Sequence, residues 1–367
     1  MIVNENVLKN DERVALPLRR LYRAYGYTQY KMSKFEEYDL YAKNKDFLVS
    51  DNVITFTDTN GKLMALKPDV TLSIVKNSKD DGGLHKVCYD ENVYRVSGSS
   101  RAYREIMQTG LECIGDVNDY AIAEVLMLAV KSLSLISSDY VLDISHLDVV
   151  SDVLDGMQLN ADQRAALLVA VGEKNLPAIR ALAPDPELLC RLVTLQGTPA
   201  KVLPALLELP LGEAAKCALD GLSAIVRALE SCGCADRVRI DFSVINDMSY
   251  YNGIVFKGFV NGVPAGVLSG GQYDRLMRKM GRSSGAIGFA VYLDLLERLC
   301  ERPSEYDVDT VLLYSEQDAL GAVLSAVQTM TEAGESVVAC KEAPGDVRYK
   351  RLAKWKESGV EILEANA

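Results

Sequence analysis

Ile106-Met-Gln-Thr-Gly-Leu-Glu-Cys-Ile114 is the run whose reading decides the fold. It is apolar at both ends and rich in β-formers. Alternate side chains of a strand share a face, so Gln108, Gly110 and Glu112 point the same way. At ~3.3 Å per residue, Gln108 and Glu112 stand ~13 Å apart. An amide and a carboxylate flanking a bare glycine suit the floor of a site for a small polar molecule. A solvent-facing strand is the plainer reading of the same pattern.

The neighbouring segments read as more strand and helix. Lys86 to Arg95 is a strand on one side. On the other, Asn118 or Asp119 caps a helix reaching about Leu135. Further back, Arg13 to Tyr25 carries Val14, Leu16, Leu18, Leu21 and Ala24 near helical spacing, and Gly26 can end that helix. Val53 to Thr57 and Lys62 to Leu66 are strands joined by the hairpin signal Asp58-Thr-Asn-Gly61. From about Leu147 to Ala235, Leu, Ala and Glu dominate and aromatics are missing. Residues 147–235 therefore read as a helical insertion, with Asn160 and Gln163 as a capping box. Strand texture returns at Val238 to Ile245, Gly253 to Phe259 and Val263 to Leu268, with Asn261-Gly262 as a two-residue turn. Residues 304–367 form a small α/β unit: strands at Thr310 to Tyr314, Ser336 to Ala339 and Val360 to Leu363, a helix from Asp318 to Ala333, and a basic helix around Lys350 to Lys356. The class is α+β, with a core of residues 1–146 plus 236–300.

Bulk properties narrow the function. At 367 residues the chain suits two or three domains. No stretch reaches the ~18–20 apolar residues of a membrane span, and MIVNENVLKNDERV lacks the form of a secretory signal. A cytoplasmic protein with no membrane role is expected. A net charge of −11 opposes a large phosphate-binding surface, so no nucleic-acid partner is expected. Of the eight cysteines, Cys88, Cys113, Cys190, Cys217, Cys232, Cys234, Cys300 and Cys340, none forms a CxxC pair. With only His85 and His146 besides, no metal site and no cofactor are expected.

Three more segments have chemical interest. Leu66-Lys-Pro-Asp-Val-Thr71 puts an acid and a hydroxyl after a proline; Asp69 and Thr71 suit an ammonium, or Asp69 simply caps a helix. Tyr94-Arg95, a small-residue loop, then Arg101 and Arg104, suits phosphates or an ordinary hairpin. Ser249-Tyr-Tyr-Asn-Gly253, Ser269-Gly-Gly-Gln-Tyr-Asp274 and Gly285-Ala-Ile-Gly-Phe-Ala290 mark close backbone approach, the last as a strand-to-helix turn.

Taken together and in order, these segments resemble histidyl-tRNA synthetase, a class II aminoacyl-tRNA synthetase, and its paralogue family, the ATP phosphoribosyltransferase regulatory subunits. The likeness runs from about Leu16 to Leu299. Tyr94-Arg95 through Glu112 resembles class II motif 2 with its following strand. Tyr250-Tyr251-Asn-Gly253 resembles a histidine-specific signature, and Gly270-Gly271-Gln-Tyr-Asp274 a GGRYD box. The resemblance implies an antiparallel sheet flanked by helices, a homodimer, and a clipped anticodon-binding-like C-terminal unit. It implies a histidine pocket of Asp69, Thr71, Gln108, Glu112, Tyr250 and Tyr251, with Arg95, Arg101 and Arg104 as residual phosphate-site candidates. The family acid at Asp69 is usually Glu.

Departures from the pattern point away from catalysis. The arginine expected before the paired tyrosines is Asn246, beside Asp247. In motif 3 the glycine, acid and arginine slots read Tyr292, Asp294 and Leu295. Ser97 replaces a motif 2 acid, and Ser33 the motif 1 proline. Adenylation needs cations around a polyphosphate, and one such donor is worth ~3–4 kcal/mol. The expectation is therefore a non-catalytic subunit of a hetero-oligomer. Its partner would be a short-form ATP phosphoribosyltransferase, which makes phosphoribosyl-ATP in the first step of histidine biosynthesis, and its effector would be histidine. A divergent histidyl-tRNA synthetase and an orphan amino-acid-binding paralogue are the alternatives.

Overall fold

The computed structural model describes residues 8, 10–45, 48, 53–96, 102–245, 248, 250–296 and 306–366. Ser97, Arg101, Asn246, Asp247, Ser249, Cys300 and the Arg302-Pro303 boundary lie outside the described residues. The chain forms two compact units, Met1–Cys300 and Glu301–Ala367.

In the first unit, α1 (Asn10–Ala24) leads into β1 (Thr28–Gln29). Its buried stripe is Ala15, Leu18 and Tyr22, while Leu16 turns outward. Gly26, at φ +83°, follows the helix in the left-handed region. β2 (Phe35–Glu37), α2 (Tyr38–Ala42), β3 (Thr55–Thr57) and β4 (Leu63–Leu66) follow. β2, β4 and β3 make a small antiparallel sheet. The Asp58–Gly61 turn is closed by Asp58, whose Oδ1 accepts from the N–H groups of Asn60 and Lys62, both at 2.8 Å. α3 (Thr71–Asn77) then precedes the long hairpin of β5 (His85–Val96) and β6 (Tyr103–Gly115).

α4 (Asp119–Ile136) starts at Asn118, whose side chain accepts from Ala121 N–H at 3.1 Å. It covers one face of the main sheet with Ala121, Val125, Leu128 and Leu133. β7 (Tyr140–His146), a strand the sequence reading passed over, runs straight into α5 (Leu147–Asp155). Next come α6 (Ala161–Gly172), α7 (Leu176–Leu182), α8 (Glu187–Thr194), β8 (Gln196–Gly197), α9 (Pro199–Leu207) and α10 (Glu213–Ser231). The Asn160–Gln163 capping box is formed in both directions. Leu167, Leu189, Leu219 and Leu222 of these helices belong to the same apolar core as α4.

The unit closes with β9 (Val238–Asp241), β10 (Asn252–Val260), β11 (Leu268–Gln272), α11 (Asp274–Lys279) and β12 (Gly285–Tyr292). Two expectations are corrected here. Gly262 does turn the chain at φ +87°, but pairing resumes only at Leu268, opposite Gly258. Pro264 has no N–H to give to a ladder. Gly285 to Ala290 is the interior of a strand and not a strand-to-helix turn; its glycines make room for neighbouring side chains.

The main sheet has the order β1-β5-β6-β12-β11-β10-β7-β9-β8. The six strands from β5 to β7 are antiparallel, and β1 and β9 join in parallel. One transverse row runs Val87, Glu112, Gly288, Gly271, Val255, Ser145. Two bare positions therefore lie beside Glu112.

The second unit has a four-stranded sheet, β14-β13-β15-β16: β13 (Val308–Leu313), β14 (Val337–Cys340), β15 (Tyr349–Lys356) and β16 (Gly359–Ala365). The helix Leu320–Glu332 packs on it around Leu312, Val323 and Ala353. The basic helix expected at Lys350 to Lys356 is the strand β15. Period two explains the correction: Ala353 and Trp355 face the core while Lys350, Lys354 and Lys356 are exposed.

Candidate functional site

A cavity opens on the sheet face opposite α4, lined by α3, β5, β6, β11 and β12. All six residues of the expected histidine set border it: Asp69, Thr71, Gln108, Glu112, Tyr250 and Tyr251. Arg95 borders it too. Arg104 stands opposite Arg95 in the hairpin register but is exposed, in a separate groove with Ile54, Leu66, Tyr94 and Tyr103. Of the three arginines named from sequence, the structure brings one to the cavity and places one elsewhere; Arg101 lies outside the described residues.

Glu112 is the centre. Only 2% of it is exposed. Its Oε1 accepts from Thr71 Oγ1 at 2.8 Å and its Oε2 from the Tyr273 hydroxyl at 2.6 Å. The carboxylate occupies space that exists because Gly288 has no side chain; a Cβ there would coincide with Glu112 Oε2. Burial pushes the Glu112 carboxyl up to about 8, against the two hydroxyl donors that favour its charged form.

Asp69 borders the same cavity. Its Oδ1 accepts from Leu72 N–H at 2.9 Å, so it caps the first turn of α3 while facing the cavity. Burial raises its carboxyl, and the Leu72 N–H and the charge of Arg95 act in the other direction. The cap reading of Asp69 is thus realised, and the same residue borders the cavity. Arg95 donates from Nε to the Pro68 carbonyl at 2.9 Å, which fixes it beside Asp69.

The tyrosine wall is held from behind. Tyr250 packs on Tyr251 with ring centroids 4.5 Å apart and on Tyr273 at 5.7 Å. Asn252 donates to Asp274 Oδ2 at 2.9 Å, and Asp274 Oδ1 accepts from Ala286 N–H at 2.9 Å. Gln272 Oε1 accepts from Ile254 N–H at 2.8 Å and lies where a Cβ of Gly253 would stand. Gly253 is at φ +60°, so that position needs glycine twice over.

Tyr89, Ser269 and Tyr273 are among the lining residues that the sequence reading did not name as site members. Tyr273 was quoted within its motif without a role. Tyr89 pairs with Gly110, and its hydroxyl fills the space the glycine leaves. Gly110 therefore makes room for a phenol. The available signal was a strand tyrosine three residues before Asn92, but only the register shows what it faces.

The side of the cavity toward β12 differs in character. Tyr292 borders the cavity, where Arg95, Asp69 and Asp294 act on its hydroxyl. Asp294, in a 3-10 turn at Leu293–Leu296, has a buried Oδ1 with no hydrogen-bond partner. Burial raises its carboxyl, and Arg104 and Arg95 pull it down.

The histidyl-tRNA synthetase family model matches residues 3–296. A protein of Alkaliphilus metalliredigens named ATP phosphoribosyltransferase regulatory subunit is 28% identical over 286 residues, 74% of this chain and 72% of that one. One of the same name from Acetivibrio thermocellus is 26% identical over 318 residues, 82% of this chain and 76% of its own. The crystal structure of an ATP phosphoribosyltransferase regulatory subunit/histidyl-tRNA synthetase from Bacillus halodurans C superposes with a TM-score of 0.79 at 26% identity, covering 96% of both chains. The histidyl-tRNA synthetase of Nostoc sp. PCC 7120, at 16% identity and a TM-score of 0.69 over 96% of this chain and 91% of that one, shares the fold. This chain belongs to the histidyl-tRNA synthetase family, and the curated relatives it resembles carry the name of ATP phosphoribosyltransferase regulatory subunits.

Proposed function

We propose that this chain is a non-catalytic regulatory subunit of a short-form ATP phosphoribosyltransferase, and that it binds histidine in the Glu112 cavity. The partner would make phosphoribosyl-ATP from ATP and phosphoribosyl pyrophosphate, the first step of histidine biosynthesis. This chain would support that activity as a homodimer within a hetero-oligomer, and histidine would act through it as a feedback signal. In this reading residues 147–235 are a helical insertion, and 304–367 a clipped anticodon-binding-like unit.

One observation carries the proposal. The cavity is bordered by Asp69, Thr71, Gln108, Glu112, Tyr250 and Tyr251, groups suited to an amino acid with an imidazole, while Arg95 is the one base among its described lining residues, where a triphosphate needs several cations. Each missing cation costs adenylation ~3–4 kcal/mol in its transition state. Amino-acid recognition does not need them.

The test has two arms. Pyrophosphate exchange with histidine and ATP should be at background; clear exchange would restore the synthetase reading. Adding the chain to a short-form phosphoribosyltransferase should raise phosphoribosyl-ATP formation, and histidine should suppress it. Stimulation that histidine leaves untouched would remove the feedback role.

A further inference from the structure

Two cysteines far from the cavity in sequence share one turn. α10 ends at Cys232, and Gly233 follows in the left-handed region at φ +68°. Backbone bonds fix the turn: Gly233 N–H donates to the Glu230 carbonyl at 3.0 Å, and Cys234 N–H to the Leu229 carbonyl at 2.9 Å. A helix-like backbone of either hand at the middle residue puts the flanking Cα atoms about 5.5 Å apart. That is inside the ~4.4–6.8 Å a disulfide spans, whereas an extended residue would set them about 7 Å apart, beyond it.

The thiols converge as well. Cys232 Sγ donates to the Leu229 carbonyl at 3.3 Å, and Cys234 Sγ to the Cys232 carbonyl at 3.7 Å. Cys232 is exposed and Cys234 is buried. Burial raises the Cys234 thiol, and a hydrogen bond and the charge of Cys232 raise it further, so the two sulfurs lie side by side. An accessible thiol backed by a second one is the arrangement of an attacking cysteine and its resolving partner.

We infer that Cys232 and Cys234 are a redox-active dithiol, which closes to a disulfide across Gly233 when it meets a small-molecule disulfide such as oxidised glutathione. The Cys232 thiolate attacks one sulfur of the reagent, and a mixed disulfide forms as one thiol leaves. The Cys234 thiolate then attacks the Cys232 sulfur and expels the second thiol. The chain gives up two electrons and two protons, and the reagent takes them up as two thiols. Excess thiol runs the exchange backwards and reopens the ring. Closure ties down the joint between α10 and β9, and it does not depend on what the Glu112 cavity binds.

The test is peptide mapping of the full chain after exposure to oxidised glutathione. Free thiols are blocked by alkylation, and the chain is cut with trypsin without reductant and weighed. Arg227 and Arg237 bracket the pair in one peptide, 228–237, while Cys217, exposed on α10, falls in the neighbouring peptide 217–227 and serves as the reference for simple mixed-disulfide formation. Peptide 228–237 should be lighter by two hydrogens and carry neither glutathione nor blocking group, and dithiothreitol should restore both thiols. The ratio of closed to mixed disulfide should be at least about fivefold higher in the folded chain than in urea, because the turn is already ordered. Cys234→Ser should keep glutathione on Cys232, and Cys232→Ser should leave Cys234 unmodified. Two free thiols or a persistent glutathione adduct on peptide 228–237 of the unaltered chain overturns the inference. An equal ratio in urea overturns the part played by the turn, and a modified Cys234 in Cys232→Ser overturns the order of attack.

Discussion

Glu112→Gln should make the first unit more stable at pH 8 and nearly unchanged at pH 5. The carboxyl is lifted from 4.5 to about 8 by burial. A raised acid favours folding only while protonated. Below its unfolded value near 4.5 the group is neutral in both states and costs nothing. As pH rises the unfolded chain ionises first, and the penalty grows until the native group also ionises near 8. At ~1.4 kcal/mol per tenfold, this is below ~1 kcal/mol at pH 5 and about 4 kcal/mol at pH 8. Relaxation in an open cavity roughly halves such figures, so a gain of about 2 kcal/mol between the two pH values is expected. Glutamine keeps the shape, and the hydroxyls of Thr71 and Tyr273 can each donate or accept. The one tryptophan, Trp355, lies in the second unit, so fluorescence would follow the wrong part. Calorimetric scans and circular dichroism at pH 5, 6.5 and 8 follow the first. A gain equal at all three pH values, or a loss at pH 8, would refute the placement of an uncompensated carboxyl at this point.

Other substitutions test the surroundings. Gly288→Ala should destabilise the chain by more than ~3 kcal/mol or leave it insoluble, because the new methyl meets Glu112 and the Leu111 carbonyl; near-normal melting would show that the sheet gives way there. Gly221→Ala, within α10 and with nothing within 4 Å, should instead stabilise by about 0.5–1 kcal/mol in urea titration. Thr71→Val removes one of two donors to Glu112 and should weaken histidine binding about five- to thirtyfold by calorimetry, about 1–2 kcal/mol. Asn118→Ala should cost about 1 kcal/mol of thermal stability through the lost cap on α4.

Where local chemistry decides, the sequence was informative. Asn118, Asn160 and Asp58 cap and turn the chain as their side chains require. The period of two placed Gln108 and Glu112 on one face. Where register or context decides, it was not. The run Lys350 to Lys356 has helix-forming residues, yet pairing with β13 and β16 makes it a strand. Arg95 and Arg104 look equivalent in sequence, but only Arg95 is drawn into the cavity by the Pro68 carbonyl. Tyr89 and Tyr273 reach the site from strands and turns whose alignment no single segment encodes.

The cost of Glu112 also bears on regulation. A buried acid with no basic partner among the described residues weakens the empty protein, and a well-packed apolar side chain would not. A ligand that pairs with it would reduce that penalty. Histidine would then bind with part of its free energy drawn from relief of that penalty, and the relief is felt wherever the cavity walls are anchored. Those walls include α3, β6 and the turn between β11 and α11, which are joined through Thr71, Glu112 and Tyr273. A change of 1–3 kcal/mol at that junction matches the usual coupling between an effector and a partner subunit, and such coupling is reciprocal. If the catalytic partner favours the liganded arrangement, it must tighten histidine binding by the same factor that histidine tightens the complex. Histidine affinities measured with and without the partner that differ by less than about twofold would mean that the Glu112 junction carries no signal.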